Sequence, residues 1–253
     1  MSPTPESHQP DFDEVRRKAD EFARHAYPDV VAQFEQLRRG LEDNAPMDLA
    51  TVDKLLTTTR TVRKCLDLTR PVDPAIIQTC LEIAIQAPTG GNVPRYHFVV
   101  ITDEAKRTAL AALYKRAYFE VYSPQRQAEV NQSDPRLIES ATYLAEHMHE
   151  VPVLIIPCVE APPVQGMGPG AYASILPATW SLMLALRARG VGSAWTTLHL
   201  GYEKEAVALL GITEGIRQAA LLPVAYYKGE DFKPAKRVLA RARTYWNGWG
   251  QKR

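Results

Sequence analysis

Two basic clusters stand at opposite ends of this chain. In TTRTVRKCLD (58–67), Arg60 and Arg63 are three residues apart and Lys64 adds a third charge. That spacing lets the two guanidiniums converge in a helical turn or a tight extended turn. Far downstream, Lys233, Lys236 and Arg237 form the second cluster. Arginine offers paired donors to phosphate oxygens, and a buried dianion needs cations around it. The clusters therefore suit a phosphate-bearing ligand, although such groups also occur on solvated faces.

The stretch APTGGNVPRYHFVVI (87–101) offers a different chemistry. A flat heteroaromatic ligand needs donors and acceptors along its polar edge and close backbone contact at its face. Thr89 supplies a hydroxyl and an amide, Gly90 and Gly91 leave the backbone open, and Asn92 is donor and acceptor at once. The same glycines could equally make an ordinary turn. The order is helix, Pro-Thr-Gly-Gly-Asn, strand, which is not the strand, GxGxxG, helix order of dinucleotide binding.

The remaining candidates are weaker. His147 and His149 in EHMHE are two apart, so on a helix they point to different faces, and a charge role at the helix end fits better than chelation. His199 either lines a substrate pocket, donates a proton or serves the structure, and the structural role is favoured. There is no GxSxG elbow for serine catalysis. Cys65, Cys80 and Cys158 are odd in number and form no CxxC, which suits reduced thiols better than disulfides or zinc.

The elements that must position these residues follow from periodicity and caps. Residues 1–10 read as disordered, and 11–42 as one or two amphipathic helices interrupted by Pro28, with Phe22, Ala26, Val30 or Val31, Phe34 and Leu37 on one stripe. DNAPMD (43–48) reads as a linker, which divides the chain into an extension, 1–47, and a main domain, 48–253. Helices are expected at 49–58, from Pro74 behind Asp73, at 104–117 behind Asp103, from Pro135 to about 149, at 175–188 and at 203–210. Residues 123–135 read as irregular and 161–170 as a Pro/Gly-rich loop. Strands are expected at 96–101, 151–159, 193–198 and 219–227. The second is continuously apolar, as in a strand buried on both faces. The pattern predicts an α+β fold with a mixed sheet covered by helices.

Composition narrows the partners. The 253 residues carry a net charge of +1, with 45% hydrophobic and 23% charged residues. That balance predicts a large core and argues against bulk nucleic-acid or acidic-membrane binding. No apolar run approaches the ~20 residues that span a bilayer. The N-terminus is polar and acidic rather than basic-then-apolar, so a cytoplasmic protein is expected.

With those residues in place, TRTVRKCLDLTRPVDPAIIQTCLEIAIQAPTGGNVPRYHFVVITD resembles the start of the FMN-dependent nitroreductase family. VPVLIIPCVE, LPATWSLMLALRARGVGSAW, LGITEGIRQAALLPVAYYKG and KPAKRV continue the resemblance in order, so that it covers about residues 48–253. It implies a mainly antiparallel sheet and an intertwined homodimer with FMN between the subunits. Arg60, Thr61 and Arg63 would then contact the phosphate and ribityl chain, with Arg63 also near the pyrimidine edge. Pro88, Thr89, Gly90 and Asn92 would lie along the ring, and Trp195, Thr196 and Thr197 near flavin N5. Lys236 and Arg237 would return to the phosphate. Thr197 and His199 are candidates near the reacting atom, no catalytic side chain is assigned, and flavin N5 itself does the chemistry.

The sequence departs from the family pattern at Thr59, at Pro94-Arg95-Tyr96 and at Trp180-Ser181. Arg95 faces the cofactor, an acidic substrate or solvent. The resemblance implies ping-pong transfer of hydride from NADH or NADPH through FMN to a nitroaromatic, a quinone or another conjugated acceptor. A flavin-dependent dehydrogenase, desaturase or reductive dehalogenase on the same fold is the alternative, and a non-catalytic flavin-binding protein is the second.

Overall fold

A computed structural model describes residues 46–133, 135–160, 168–229 and 232–253, together with helical positions scattered between 17 and 36. The expected disorder at 1–10 and most of the amphipathic stripe lie outside the described residues. Within the extension, Arg24 pairs with Glu35 at 2.9 Å.

Aspartate caps set three of the helix starts. Helix α1 is Leu49–Thr58, with the Asp48 carboxylate accepting from the Ala50 amide. Helix α2 is Pro74–Ala84, started by Asp73 and Pro74 as expected. Strand β1, Tyr96–Ile101, has the expected bounds. Helix α3, Glu104–Val121, is capped by Asp103 and runs four residues beyond the sequence expectation.

Residues 123–135 are a correction, because helix α4 occupies Pro124–Ser133. The segment PQRQAEVNQS has no apolar stripe to betray it. It is nevertheless rich in good helix formers and begins with proline, which suits a first turn. Helix α5, Pro135–His147, follows, and then strand β2, Val153–Glu160. Helix α6, Gly168–Ala188, begins seven residues earlier than periodicity suggested. Beyond it come β3 (Val191–Ser193), helix α7 (Glu203–Leu210), β4 (Ile216–Gln218), β5 (Leu222–Tyr226) and the short helix α8 (Ala240–Arg243).

The five strands form one antiparallel sheet, ordered β1-β2-β5-β3, with β4 also on β2. Strand β2 is its centre. Leu154, Ile156 and Cys158 belong to one cluster with Leu110, Tyr114, Leu144 and Met148 of the α3–α5 side. Val153 and Ile155 belong to another with Ile77, Cys80, Leu182 and Leu186 of α2 and α6. Alternate side chains thus enter two helical layers, which is why the strand is apolar without interruption. Burial pushes the Cys80 thiol up to about 11 and the Cys158 thiol up to about 12. Both stay protonated, and all three cysteines are free.

Two expected strands are cut short by prolines. Of the expected 219–227 strand only β5, Leu222–Tyr226, forms, and the unexpected β4, Ile216–Gln218, precedes it along the same edge of β2. Between their pairings, residues 219–221 stand opposite only Ile156 and Pro157, so one extra residue bulges out. Pro157 has no amide to donate, although its carbonyl accepts from the Ala219 amide at 2.8 Å. The expected 193–198 strand likewise shrinks. Pairing continues from Ser193–Val224 to the isolated bridge Thr196–Leu221, but Pro223 opposite Ala194 returns no bond. Residues Leu198–Tyr202 then coil into a 3-10 turn.

The segment between α1 and α2 lies across the end of this sheet. The Val62 amide donates to the Ser193 carbonyl at 2.9 Å, and the Asp67 amide to the Tyr226 carbonyl at 2.6 Å. Val62 and Leu66 are buried beneath it. A Cβ on Gly192 would meet Val62 and Leu66 atoms at 3.3 Å, so glycine at this position lets the segment sit directly on β3. Gly192→Val should therefore cost about 1–3 kcal/mol by overpacking, read as a lowered denaturant midpoint. An unchanged midpoint would mean that this contact is not tight.

Candidate functional site

That docked segment forms one wall of a cleft of about 590 Å³. Arg60, Thr61 and Arg63 line it beside Thr59, Leu56 and Thr57 from the end of α1. Trp180 and Met183 of α6 and Trp195 after β3 supply flat and apolar surface. Pro234, Ala235 and Arg237 of the carboxyl-terminal segment close the other side. The two basic clusters of the sequence thus meet at this cleft, 173 residues apart along the chain in the case of Arg60 and Lys233. Among the described residues, three guanidiniums line it and no carboxylate does. Such a site favours an anion, and the exposure of Arg60 and Arg237 leaves it accessible to one.

Local bonds orient the cations. The Thr59 hydroxyl donates to the Leu55 carbonyl at 2.6 Å, closing α1 just before Arg60. Arg60 Nη1 donates to the Lys233 carbonyl at 3.1 Å. Arg63 Nη1 donates to the Ser140 hydroxyl at 3.4 Å, and Ser140 in turn donates to the Leu137 carbonyl at 3.1 Å. Lys64 turns away to pair with Glu139 and does not line the cleft. Behind Arg63 lies the buried Tyr114. Burial pushes its phenol up, while a side-chain hydrogen bond with Thr196 and the charge of Arg63 pull it down.

The structure separates the other candidate residues from this cleft within one chain. Gly90–Asn92 is a 3-10 turn in which Gly91 and Asn92 have φ of 62° and 56°. The Gly90 amide donates to the Ser174 hydroxyl of α6 at 3.0 Å. Gly91 needs its glycine for that left-handed conformation, and asparagine is among the residues that tolerate it. Gly90 does not: a Cβ there would meet nothing closer than Ser174 Oγ at 3.8 Å. Pro88, Gly90 and Asn92 are exposed and Thr89 is half-buried, and none of them lines the cleft. Thr196, Thr197 and Lys236 lie outside it too, although Trp195 and Arg237 beside them are in its walls. Arg95 is exposed on the turn into β1.

Five lining residues escaped the sequence reading, Leu56, Thr57, Met183, Pro234 and Ala235. Met183 sits in a helix that is apolar nearly all round, so periodicity could not tell its cleft-facing side. Pro234 and Ala235 had a signal, since they lie inside KPAKRV between the flagged cations.

The comparisons with known proteins fit this geometry. The Nitroreductase family model matches residues 56–226. The chain belongs to the nitroreductase family. A nitroreductase-like family protein of Bacillus cereus superposes with a TM-score of 0.58 at 17% identity, covering 81% of this chain and 100% of that one. Iodotyrosine deiodinase, solved with FMN and 3-iodo-L-tyrosine, gives 0.60 at 21% identity, with 76% and 98% covered. The FMN- and NADPH-dependent nitroreductase NfnB of Sphigopyxis sp. strain HMH gives 0.60 at 20%, with 78% and 99% covered. The antiparallel sheet flanked by helices is the nitroreductase-like fold.

His199 is fully buried in the 3-10 turn after Thr197 and does not reach the cleft. Neither ring nitrogen makes a well-formed hydrogen bond, and the Gln218 side chain, whose oxygen is also unpartnered, lies close enough to favour the charged ring. Burial lowers its pKa to about 4, against a slight upward pull from Gln218. Burial thus favours the neutral ring at pH 7, without the acidic imidazolium proton that a general acid gives up, which supports the structural role. The folded value lies below the unfolded value of about 6.5. The unfolded chain therefore binds the proton first, and stability present above about pH 6.5 is lost as the pH falls toward about 4. The loss is on the order of 3 kcal/mol. Denaturant titrations across this window should show a shallower fall for His199→Gln than for the wild type. Parallel slopes would show that His199 titrates alike in both states.

Proposed function

We propose that this nitroreductase-family chain is an FMN-dependent oxidoreductase. It passes hydride from NADH or NADPH by way of FMN to a nitroaromatic, a quinone or another conjugated acceptor. Family membership supports an oxidoreductase. The observation that carries the cofactor is the cleft itself: three guanidiniums without a carboxylate, beside two tryptophan faces, in a space of about 590 Å³. That donor set fits a phosphate monoester joined to a flat aromatic ring.

In this reading Arg60, Arg63, Arg237 and the Thr61 hydroxyl hold the phosphate and the chain attached to it, with Lys236 adding charge nearby. FMN, when bound, supplies the hydride-exchanging chemistry. The protein's part is orientation and electrostatics. Arg63 places fixed positive charge where the ligand's anionic edge would lie, and charge prepared in advance costs no reorganisation during reaction. Trp180 and Trp195 keep water from one side of the cleft. No side-chain general base is needed.

We read the functional unit as a cytoplasmic homodimer. Helix α6 buries Ile175, Ala178, Leu182 and Leu186, yet Leu176 and Trp180 are 37% and 38% exposed. The turn at Pro88, Thr89, Gly90 and Asn92 is exposed but away from the arginine cleft of its own chain. A second copy would bring that turn, with the Thr196 and Thr197 segment, to complete the ring site. The alternative reading, a dehydrogenase, desaturase or reductive dehalogenase, uses the same cleft and differs in its acceptor. Iodotyrosine deiodinase, at the same TM-score as NfnB, is the likeness that favours it.

The purified protein should be yellow, or become so with FMN, and anaerobic NADH or NADPH should bleach that colour. Arg63→Ala should weaken FMN binding about tenfold to a hundredfold, the loss of a charged hydrogen bond of about 1.5–3 kcal/mol. Protein that stays colourless after incubation with FMN would overturn the reading. Flavin that binds but is bleached by neither nucleotide would favour the alternative.

A further inference from the structure

Two cations stand side by side in the segment docked on β3, and helix α5 meets them in different ways. Arg63 Nη1 donates to the Ser140 hydroxyl at 3.4 Å, and that hydroxyl donates to the Leu137 carbonyl at 3.1 Å. Lys64, the next residue, pairs instead with Glu139, the residue before Ser140. Adjacent residues of the helix thus hold adjacent residues of the basic segment, and all four belong to one chain.

The two contacts have opposite effects on charge. A serine hydroxyl has one proton, and the Leu137 carbonyl accepts it, so Ser140 offers Arg63 lone pairs only. Such a contact directs the guanidinium without cancelling its charge, and it uses one of five donors. A carboxylate in the same place would compete with a bound anion. Glu139 is the carboxylate beside Ser140 in the chain. Its hydrogen bond with Lys64 and the charge of that ammonium hold its carboxyl below the usual value, and Glu139 raises Lys64 in return. The two therefore neutralise each other at pH 7. Both are exposed, and an exposed ion pair adds little to stability. Its larger effect is on the charge balance beside a cleft lined by three guanidiniums and, among the described residues, no carboxylate.

We propose that α5 sorts these cations: Lys64 occupies Glu139, while Ser140 is a positioning residue that aims Arg63, still fully charged, at the anionic ligand. The proposal rests on the cofactor reading for the identity of that ligand. Arg63 touches the ligand in this scheme, and Ser140, Lys64 and Glu139 act only through it.

Fluorescence titration of FMN, with the midpoint potential of the bound flavin measured against redox dyes, tests this. Ser140→Ala should weaken FMN binding about threefold, because the aiming contact is single and long. Ser140→Asp should weaken it about tenfold and lower the potential, since a carboxylate there cancels the charge that favours an anionic reduced ring. A purely anchoring role gives the reverse order, because aspartate is the stronger acceptor for a guanidinium. Lys64→Met should weaken binding about threefold and also lower the potential. Combining it with Glu139→Gln should return both values close to wild type, a coupling that loss of packing does not produce. Aspartate binding FMN as well as alanine, or a double variant no better than Lys64→Met alone, overturns the proposal. If the wild type binds no FMN, the cofactor reading is wrong, and affinity for inorganic phosphate across the same variants decides. The same order keeps the sorting as an anion device, and any other result, no binding included, removes it.

Discussion

The hydrogen bond from the Val62 amide to the Ser193 carbonyl fixes where the chemistry of this protein can be. Residue 62 lies between Arg60 and Arg63, so binding its amide to β3 places both guanidiniums at the sheet's end. Val62 and Leu66 drive their side chains into the core, and Gly192 makes room for them. A basic loop that floated on the surface would meet only water and counterions. Anchored to the rigid sheet, it becomes a wall whose charges keep fixed positions relative to Trp180, Met183 and Trp195. That rigidity depends in turn on β2, whose side chains feed two helical layers at once.

On the proposed reading, the site divides into a part held by one chain and a part that is not. Cations from both ends of the sequence meet in one cleft, which is the arrangement a phosphorylated ligand needs. The Gly-Gly turn is instead tied to α6 through Ser174. Its geometry answers half of the question raised by adjacent glycines. The conformation of Gly91 requires glycine, whereas Gly90 has room for a side chain, so its openness is consistent with a neighbour from outside the chain.

How much of this could be read from the residues varies with the physics involved. Helix starts behind Asp73 and Asp103 were legible because a cap is a local signal. Strands β1 and β2 were legible from their apolar runs. The shortening of 219–227 was not, because it involves Pro157 of a distant strand, which cannot donate across the ladder. Helix α4 was hidden because its surface is polar. At the site, charge and spacing marked Arg60, Arg63 and Arg237, while Met183 needed the packed structure to show which way it faces. His199 was ambiguous on paper, and its burial resolves it.

The two prolines in the sheet carry a consequence of their own. Pro157 and Pro223 sit on neighbouring strands, and each accepts from the chain it faces but cannot donate to it. Sliding β5 along β2 by one position would leave a carbonyl unsatisfied and swap which helical layer each aliphatic side chain enters. They act as notches on a ruler: the strands can be joined in one alignment only. Because the segment that follows Ser193 is paired to β5, that single alignment also sets how far Trp195 stands from the arginine wall across the cleft.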